Sequence, residues 1–370
     1  MTRTGGVERP GGRGRAPAVT RLPPEQGGGG PGRAGTATAR SGDRTSESQE
    51  AAVHTVEDTD RPRVVVGVDG SPGSRVALAW ALESAARRGA ALQVVAAYPV
   101  DLYWADAHLL DRGRLDLLRE DTGARARELV TAAQRDPRSA GVAAVPVEVL
   151  AVPGAPAEQL VRLSEGAEQL VVGSRGRGGL RSTLLGSVAL HCSAHARCPV
   201  VVVHPATAPT AGPPRVVVGV DGSAPARAAL AEAARAAAEL DATLEVVTAF
   251  HLPVLWTDLS VLVVESQDEF RDEALRRARD VVDDVLGADP PVPVQVLAEE
   301  GRATDVLVTR AAGATLLVVG SRSRSRLPGM VLGSVALHAV VHAPCPVQVV
   351  HPAGAHDGAA GARRMAAGAS

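Results

Sequence analysis

The chain repeats itself, and that repetition limits its fold more than any other feature. Arg63-Val-Val-Val-Gly67-Val-Asp69-Gly-Ser71 returns as Arg215-Val-Val-Val-Gly219-Val-Asp221-Gly-Ser223. Leu170-Val-Val-Gly173-Ser-Arg175 returns as Leu317-Val-Val-Gly320-Ser-Arg322. Leu185-Gly186-Ser187-Val188-Ala-Leu-His191 returns as Leu332-Gly333-Ser334-Val335-Ala-Leu-His338, and the second copy has lost a few residues from its middle. Two copies in 370 residues indicate two ordinary domains in series, 61–205 and 215–352. Between them, 206–214 is a linker stiffened by its prolines. The ends, 1–60 and 353–370, have too little large apolar surface to offset their ordering entropy and are expected to be disordered.

Within a copy, short apolar runs alternate with helical stretches. In the first they are Arg63–Val68, Leu92–Tyr98, Val145–Ala151, Leu170–Gly173 and Val200–His204. Val-rich runs without polar alternation predict strands buried on both faces, hence a parallel sheet covered by helices. Ser71-Pro72 reads as an N-cap and first helical residue, and Gly89 as the stop. Right-handed crossovers then give two tandem α/β domains, each a doubly wound, Rossmann-like five-stranded parallel sheet of order 3-2-1-4-5. The last strands, Val200–Val203 and Val347–Val350, are apolar edges that need covering, so the two domains are expected to pair through them as an internal pseudo-dimer, with further homodimerisation left open.

Composition removes several functions. The chain has no Lys, Ile or Asn, and all 39 cationic side chains are Arg, which excludes a phosphate-loop, kinase-type or Schiff-base lysine. The formal net charge of -2 gives no electrostatic case for nucleic acid or membrane. Cys192, Cys198 and Cys345 form no disulfide framework, and no apolar run reaches membrane-spanning length, so a cytoplasmic location is expected.

In a doubly wound sheet, ligands sit where the winding reverses, between the first and fourth strands. Asp69 ends the first strand and Gly173 the fourth. After Gly173 come Ser-Arg175-Gly176, nine residues, and then Gly186-Ser187 opening a helix. Glycines let a backbone approach polyphosphate and take positive φ. Gly186, Ser187 and Val188 offer N–H groups at a helix N-terminus, where the dipole favours an anion. The Ser187 hydroxyl can cap that helix or meet a phosphate oxygen. Arg175, Arg177 and Arg181 supply charge without lysine. No nucleophile–base pair or paired carboxylates are evident, so sustained catalysis is not expected.

This segment resembles the G-x2-G-x9-G-(S/T) signature of ATP-binding universal stress proteins, matched by Gly173, Gly176, Gly186 and Ser187. The resemblance extends from about Arg63 to His351. It implies ATP, with or without Mg, as the cofactor. Asp69 would face the adenosine and metal side, backbone near Val95 and Ala97 would meet the adenine edge, and Gly173 through Ser187 would wrap the phosphates. In the second copy Asp221, Gly320, Arg322, Gly333, Ser334 and Val335 are the counterparts, but Ser323 stands where Gly176 is in the first. The function implied is a nucleotide-responsive stress or dormancy regulator. A nucleotide-free scaffold and an ATP-cleaving enzyme of the related α/β group are the alternatives.

Two further patterns have plainer readings. His191, His195 and Cys198, repeated as His338, His342 and Cys345, have the spacing of a zinc site on a helix face. Each Cys precedes a strand-starting proline, however, and no fourth ligand is evident, so retention after duplication accounts for the pattern. Trp104 and Trp256 recur after the second strand of each copy and are read mainly as core.

Overall fold

A computed structural model describes residues 61–98, 112–136, 141–177, 185–205, 212–251, 260–322 and 332–352. The expectations for the N-terminal and C-terminal tails, for Trp104 and Trp256, and for Arg181 and Ser323 fall outside these residues.

The first repeat runs β1 (Arg63–Gly67), α1 (Pro72–Arg88), β2 (Ala91–Tyr98), α2 (Arg112–Gln134), β3 (Val147–Pro153), α3 (Pro156–Leu163), β4 (Gln169–Gly173), α4 (Ser187–His195) and β5 (Val200–Val203). The second runs β6 (Arg215–Gly219), α5 (Ala224–Glu239), β7 (Thr243–Phe250), α6 (Ser260–Leu286), β8 (Val294–Glu300), α7 (Ala303–Arg310), β9 (Leu316–Gly320), α8 (Ser334–His342) and β10 (Val347–Val350). Each repeat has the expected order 3-2-1-4-5. Among the described residues the strands form one sheet, β3-β2-β1-β4-β5-β10-β9-β6-β7-β8. The two halves meet where β5 pairs antiparallel with β10, Val200 opposite Val349 and Val202 opposite Val347. Every other pairing among these strands is parallel.

Strand periodicity explains the layers. Val64, Val66 and Val171 point to the core beneath α1 and α2, whereas Val65, Leu170 and Val172 point to the opposite core. Because both faces are covered, β1, β4 and β5 are apolar at almost every position. On the α3/α4 side the core is continuous across both repeats, joining Ala189 and Val202 to Ala336 and Val347. On the other side each repeat keeps its own core.

The local signals hold where they are strongest. Ser71 caps α1, its Oγ accepting the Ser74 N–H at 3.2 Å, Pro72 opens the helix, and Gly89 ends it at φ 61°. The third strand differs from expectation, beginning at Val147 instead of Val145. The Val145 N–H closes a turn onto Val142 O, and Pro146 has no N–H to give the ladder, although its carbonyl accepts from Leu92. As the edge of the sheet, β3 is also only partly buried, unlike the inner strands.

Candidate functional site

The site is assembled by the ends of β1 and β4 and the starts of α1 and α4. The chain leaves β1 at Gly67, and the Val68 N–H bonds back to Val95 O at 2.9 Å, which brings Asp69 to the rim. Chain from β4 passes so close to α1 that Gly173 has no room for a side chain. A Cβ there would lie 2.5 Å from the Gly73 carbonyl carbon. Gly73 is equally constrained, since its own Cβ would stand 2.4 Å from Arg175 O. These two glycines let two backbones touch. The Gly186 N–H then donates to Ser174 O at 2.8 Å, folding the start of α4 back over the strand end.

Asp69 ties the two loops together. Its Oδ1 accepts the Ser71 N–H at 2.9 Å, and its Oδ2 accepts the Arg177 N–H at 2.8 Å. Partial burial pushes its pKa upward. Hydrogen bonds from Ser71, from the Arg177 N–H and from Ser74 outweigh that effect, so the carboxyl titrates below its ordinary value. This contact explains Gly176 as well: a Cβ at that position would lie 2.6 Å from Asp69 Oδ2.

Two sequence expectations need correcting here. Gly173, Gly176 and Gly186 do not take positive φ; they are glycines because neighbouring atoms occupy the space of a side chain. Ser187 does not cap α4. Gly186 is the N-cap, without a side-chain hydrogen bond, and Ser187 is the exposed first residue of the helix. The first turn of α4 thus receives no side-chain cap from its own N-cap residue, which leaves its N–H dipole available to an anion.

Of the residues singled out in the first repeat, nine (Asp69, Val95, Ala97, Gly173, Arg175, Gly176, Gly186, Ser187 and Val188) and the flanking Arg177 line one cleft of about 590 Å3. Its inner wall is apolar, with Val95, Leu160 and Val172, and its outer end carries Arg175 and Arg177. Sequence reasoning missed Ser74, Pro156 and Leu160, which also line it. Only the apolar face of α3 gave any hint of Leu160.

In the second repeat Asp221, Gly320, Arg322, Gly333 and Val335 also converge, but the space they enclose is about 80 Å3 and Ser334 does not line it. Three described differences accompany the loss. Pro225 stands at the position of Gly73, Val306 at that of Gln159, and Ala303 at that of Pro156. Val306 is buried and lines the small cavity, whereas the Gln159 amide is held away by Pro153 O at 3.0 Å. Asp221 accepts the Ser223 N–H at 2.9 Å, as Asp69 does from Ser71.

The histidine pairs stack at 4.5 Å and 4.4 Å between ring centroids. Burial pushes the Cys198 and Cys345 thiols up to about 12, which opposes the thiolate a zinc site requires. Among the described residues no cluster of His, Cys, Asp and Glu could hold a metal ion.

The sequence profile of the Universal stress protein family matches twice, over residues 61–204 and 213–351. The chain belongs to that family. A universal stress protein of Mycobacterium tuberculosis is 35% identical over 291 residues, covering 76% of this chain and 93% of its own length. A second from the same organism is 32% identical over 297 residues, covering 77% and 95%. Among solved structures, a universal stress protein from Archaeoglobus fulgidus covers 78% of this chain and 96% of its own, with TM-score 0.51 and 20% identity. A functionally unknown protein from Pseudomonas aeruginosa covers 84% and 98%, with TM-score 0.54 and 17% identity. Both likenesses concern the α/β fold. In this universal stress protein, no helix among the described residues is long and apolar enough to cross a membrane.

Proposed function

We propose that the first repeat binds ATP, and that nucleotide occupancy sets the conformation or partners of a cytoplasmic stress or dormancy regulator. The observation that carries this reading is the convergence of nine residues on a single cleft of about 590 Å3. That volume lies within the range of about 300–1,000 Å3 usual for small-ligand sites. Apolar Val95, Leu160 and Val172 suit a base, whereas Arg175, Arg177 and the start of α4 suit phosphates. Asp69 is the one carboxylate among the described lining residues, enough for Mg2+ that keeps its waters and phosphate oxygens. A bound nucleotide would supply the anionic charge that Arg175, Arg177 and the start of α4 hold and orient. Slow hydrolysis is incidental on this reading, since the carboxylate beside the Ser74 hydroxyl, Asp69, titrates below its ordinary value and is a weak base, and Ser74 Oγ donates to Ser71 O at 3.0 Å.

On this reading the second repeat has no equal site between its first and fourth strands; the cavity of about 550 Å3 beside Asp221 lies toward α6 and takes in neither Gly320 nor Gly333. The cleft of about 80 Å3 between those strands is well below what a nucleotide occupies. Nucleotide released from the purified, denatured chain tests the proposal. About one adenine nucleotide per chain supports it. A nucleotide-free preparation that also fails to take up ATP favours a scaffold, and rapid turnover with a second substrate favours an enzyme.

A further inference from the structure

The two repeats are nearly identical along their inner strands but differ at the surface where α1 approaches α5. Trp80, Glu83, Arg87 and Arg88 of the first repeat correspond to Glu232, Arg235, Glu239 and Leu240 of the second. These positions build a cross-repeat seam. Trp80 packs against the cores of both repeats. The Arg88 guanidinium, its side chain only 4% exposed, lies 3.1 Å from Glu239 and 3.8 Å from Glu232. In return Arg235 reaches Glu168 of the first repeat at 3.7 Å while bonding Glu232 and Glu239 on its own helix. Gln348 of β10 donates to Glu232 at 2.7 Å and fixes that carboxylate.

Exchanging one repeat for a copy of the other breaks this seam. If two first repeats met in the same geometry, Arg88 would find Trp80 and Arg87 where Glu232 and Glu239 now stand. Arg88 would then face the cation of Arg87 at the position of Glu239 and keep Glu168 of its own repeat at 3.8 Å, while Glu83 at the position of Arg235 would set a second carboxylate against Glu168, so that like charges meet on both sides. If two second repeats met, Leu240 would stand where Arg88 is, and the acids would lose their cross-seam cation. The paired strands differ at one position, where Gln348 of β10 lies opposite Val201 of β5, and that glutamine serves the seam through Glu232.

We infer that the α1–α5 seam is a charge-coded surface that fits only an unlike repeat and rejects like-with-like association. Selection rests on Arg88 from one side and Glu232 and Glu239 from the other. The apolar strands contribute attraction, and the seam decides which partner is accepted.

Full-length charge variants test this by thermal unfolding and sedimentation. Arg88→Glu places a fourth carboxylate among Glu168, Glu232 and Glu239 and should lower the melting temperature by about 5 °C or more. Glu239→Arg should lower it less. Combining the two should recover at least half of the Arg88→Glu loss, because the pair then faces across the seam with its two charges exchanged. A second variant gives the second repeat the seam of the first (Glu232→Trp, Arg235→Glu, Glu239→Arg and Leu240→Arg). With helical content retained, it should sediment as an expanded monomer or as an association of chains. Full stability in Arg88→Glu, a double variant melting below Arg88→Glu alone, or parental sedimentation of the like-seamed chain would overturn the inference.

Discussion

The two repeats share strand order, N-caps of their first helices and strand-end carboxylates, yet the cleft between the first and fourth strands holds about 590 Å3 in one and about 80 Å3 in the other, where a separate cavity of about 550 Å3 opens on the far side of Asp221 toward Phe250 and Phe270. The difference lies in side chains that glycine spares. In the first repeat, Gly73 lets Arg175 O approach to where a Cβ would stand, and Gly176 does the same for the Asp69 carboxylate. Pro225 carries a Cβ where Gly73 has none, although Gly320 still passes it closely, a Cβ there lying 2.7 Å from the Pro225 carbonyl carbon. Buried Val306 adds apolar bulk to the cavity wall. A cleft can thus differ in size while the fold around it stays the same.

The largest expected effect comes from making the first repeat resemble the second. Gly176→Ala forces a Cβ against Asp69 Oδ2 and should weaken ATP binding at least about tenfold, a loss of roughly 1.4 kcal/mol or more, measured by calorimetric titration. The reverse experiment is the Pro225→Gly, Val306→Gln and Ser323→Gly triple variant, which should raise nucleotide uptake above one per chain. Unchanged uptake would mean that other residues close the second cleft.

A smaller effect is expected of Asp69→Asn, which keeps the side-chain shape but weakens the charge-assisted bonds to Ser71 and Arg177. ATP affinity should fall by about threefold to tenfold, roughly 0.7–1.4 kcal/mol. The folded pKa of Asp69 is lowered, so its stabilisation is fully present above the unfolded value of about 3.9 and is lost as pH falls through the folded value. Acid titration of loop order should show that transition in the parent chain and not in Asp69→Asn. The smallest difference concerns the caps. Ser71→Ala and Ser223→Ala should each cost about 1 kcal/mol of stability in denaturant unfolding. Only Ser71→Ala should also weaken ATP binding, because Ser71 Oγ donates to Arg175 O at 3.4 Å.

Much of the fold was legible because its signals are local. Ser71-Pro72 and Gly89 bracket α1, and uninterrupted valines mark β1, β4 and β5 as doubly buried. The start of β3 was misplaced because a turn through Val142–Val145 competes with strand pairing at a proline. In the site, glycine spacing located the loop that follows β4 but suggested the wrong cause. The contacts that require Gly73, Gly173 and Gly176 join segments about a hundred residues apart, and no local pattern encodes them. The roles of Ser74 and Leu160 as cleft walls, and of Arg88 in the seam, were hidden for the same reason.

The unequal clefts are tested most directly by titrating the intact chain with ATP and Mg2+ while counting sites. One saturable site per chain, lost in Gly176→Ala and unaffected by Gly333→Ala, is the expected result. Two equivalent sites, or no binding at millimolar nucleotide, would contradict it.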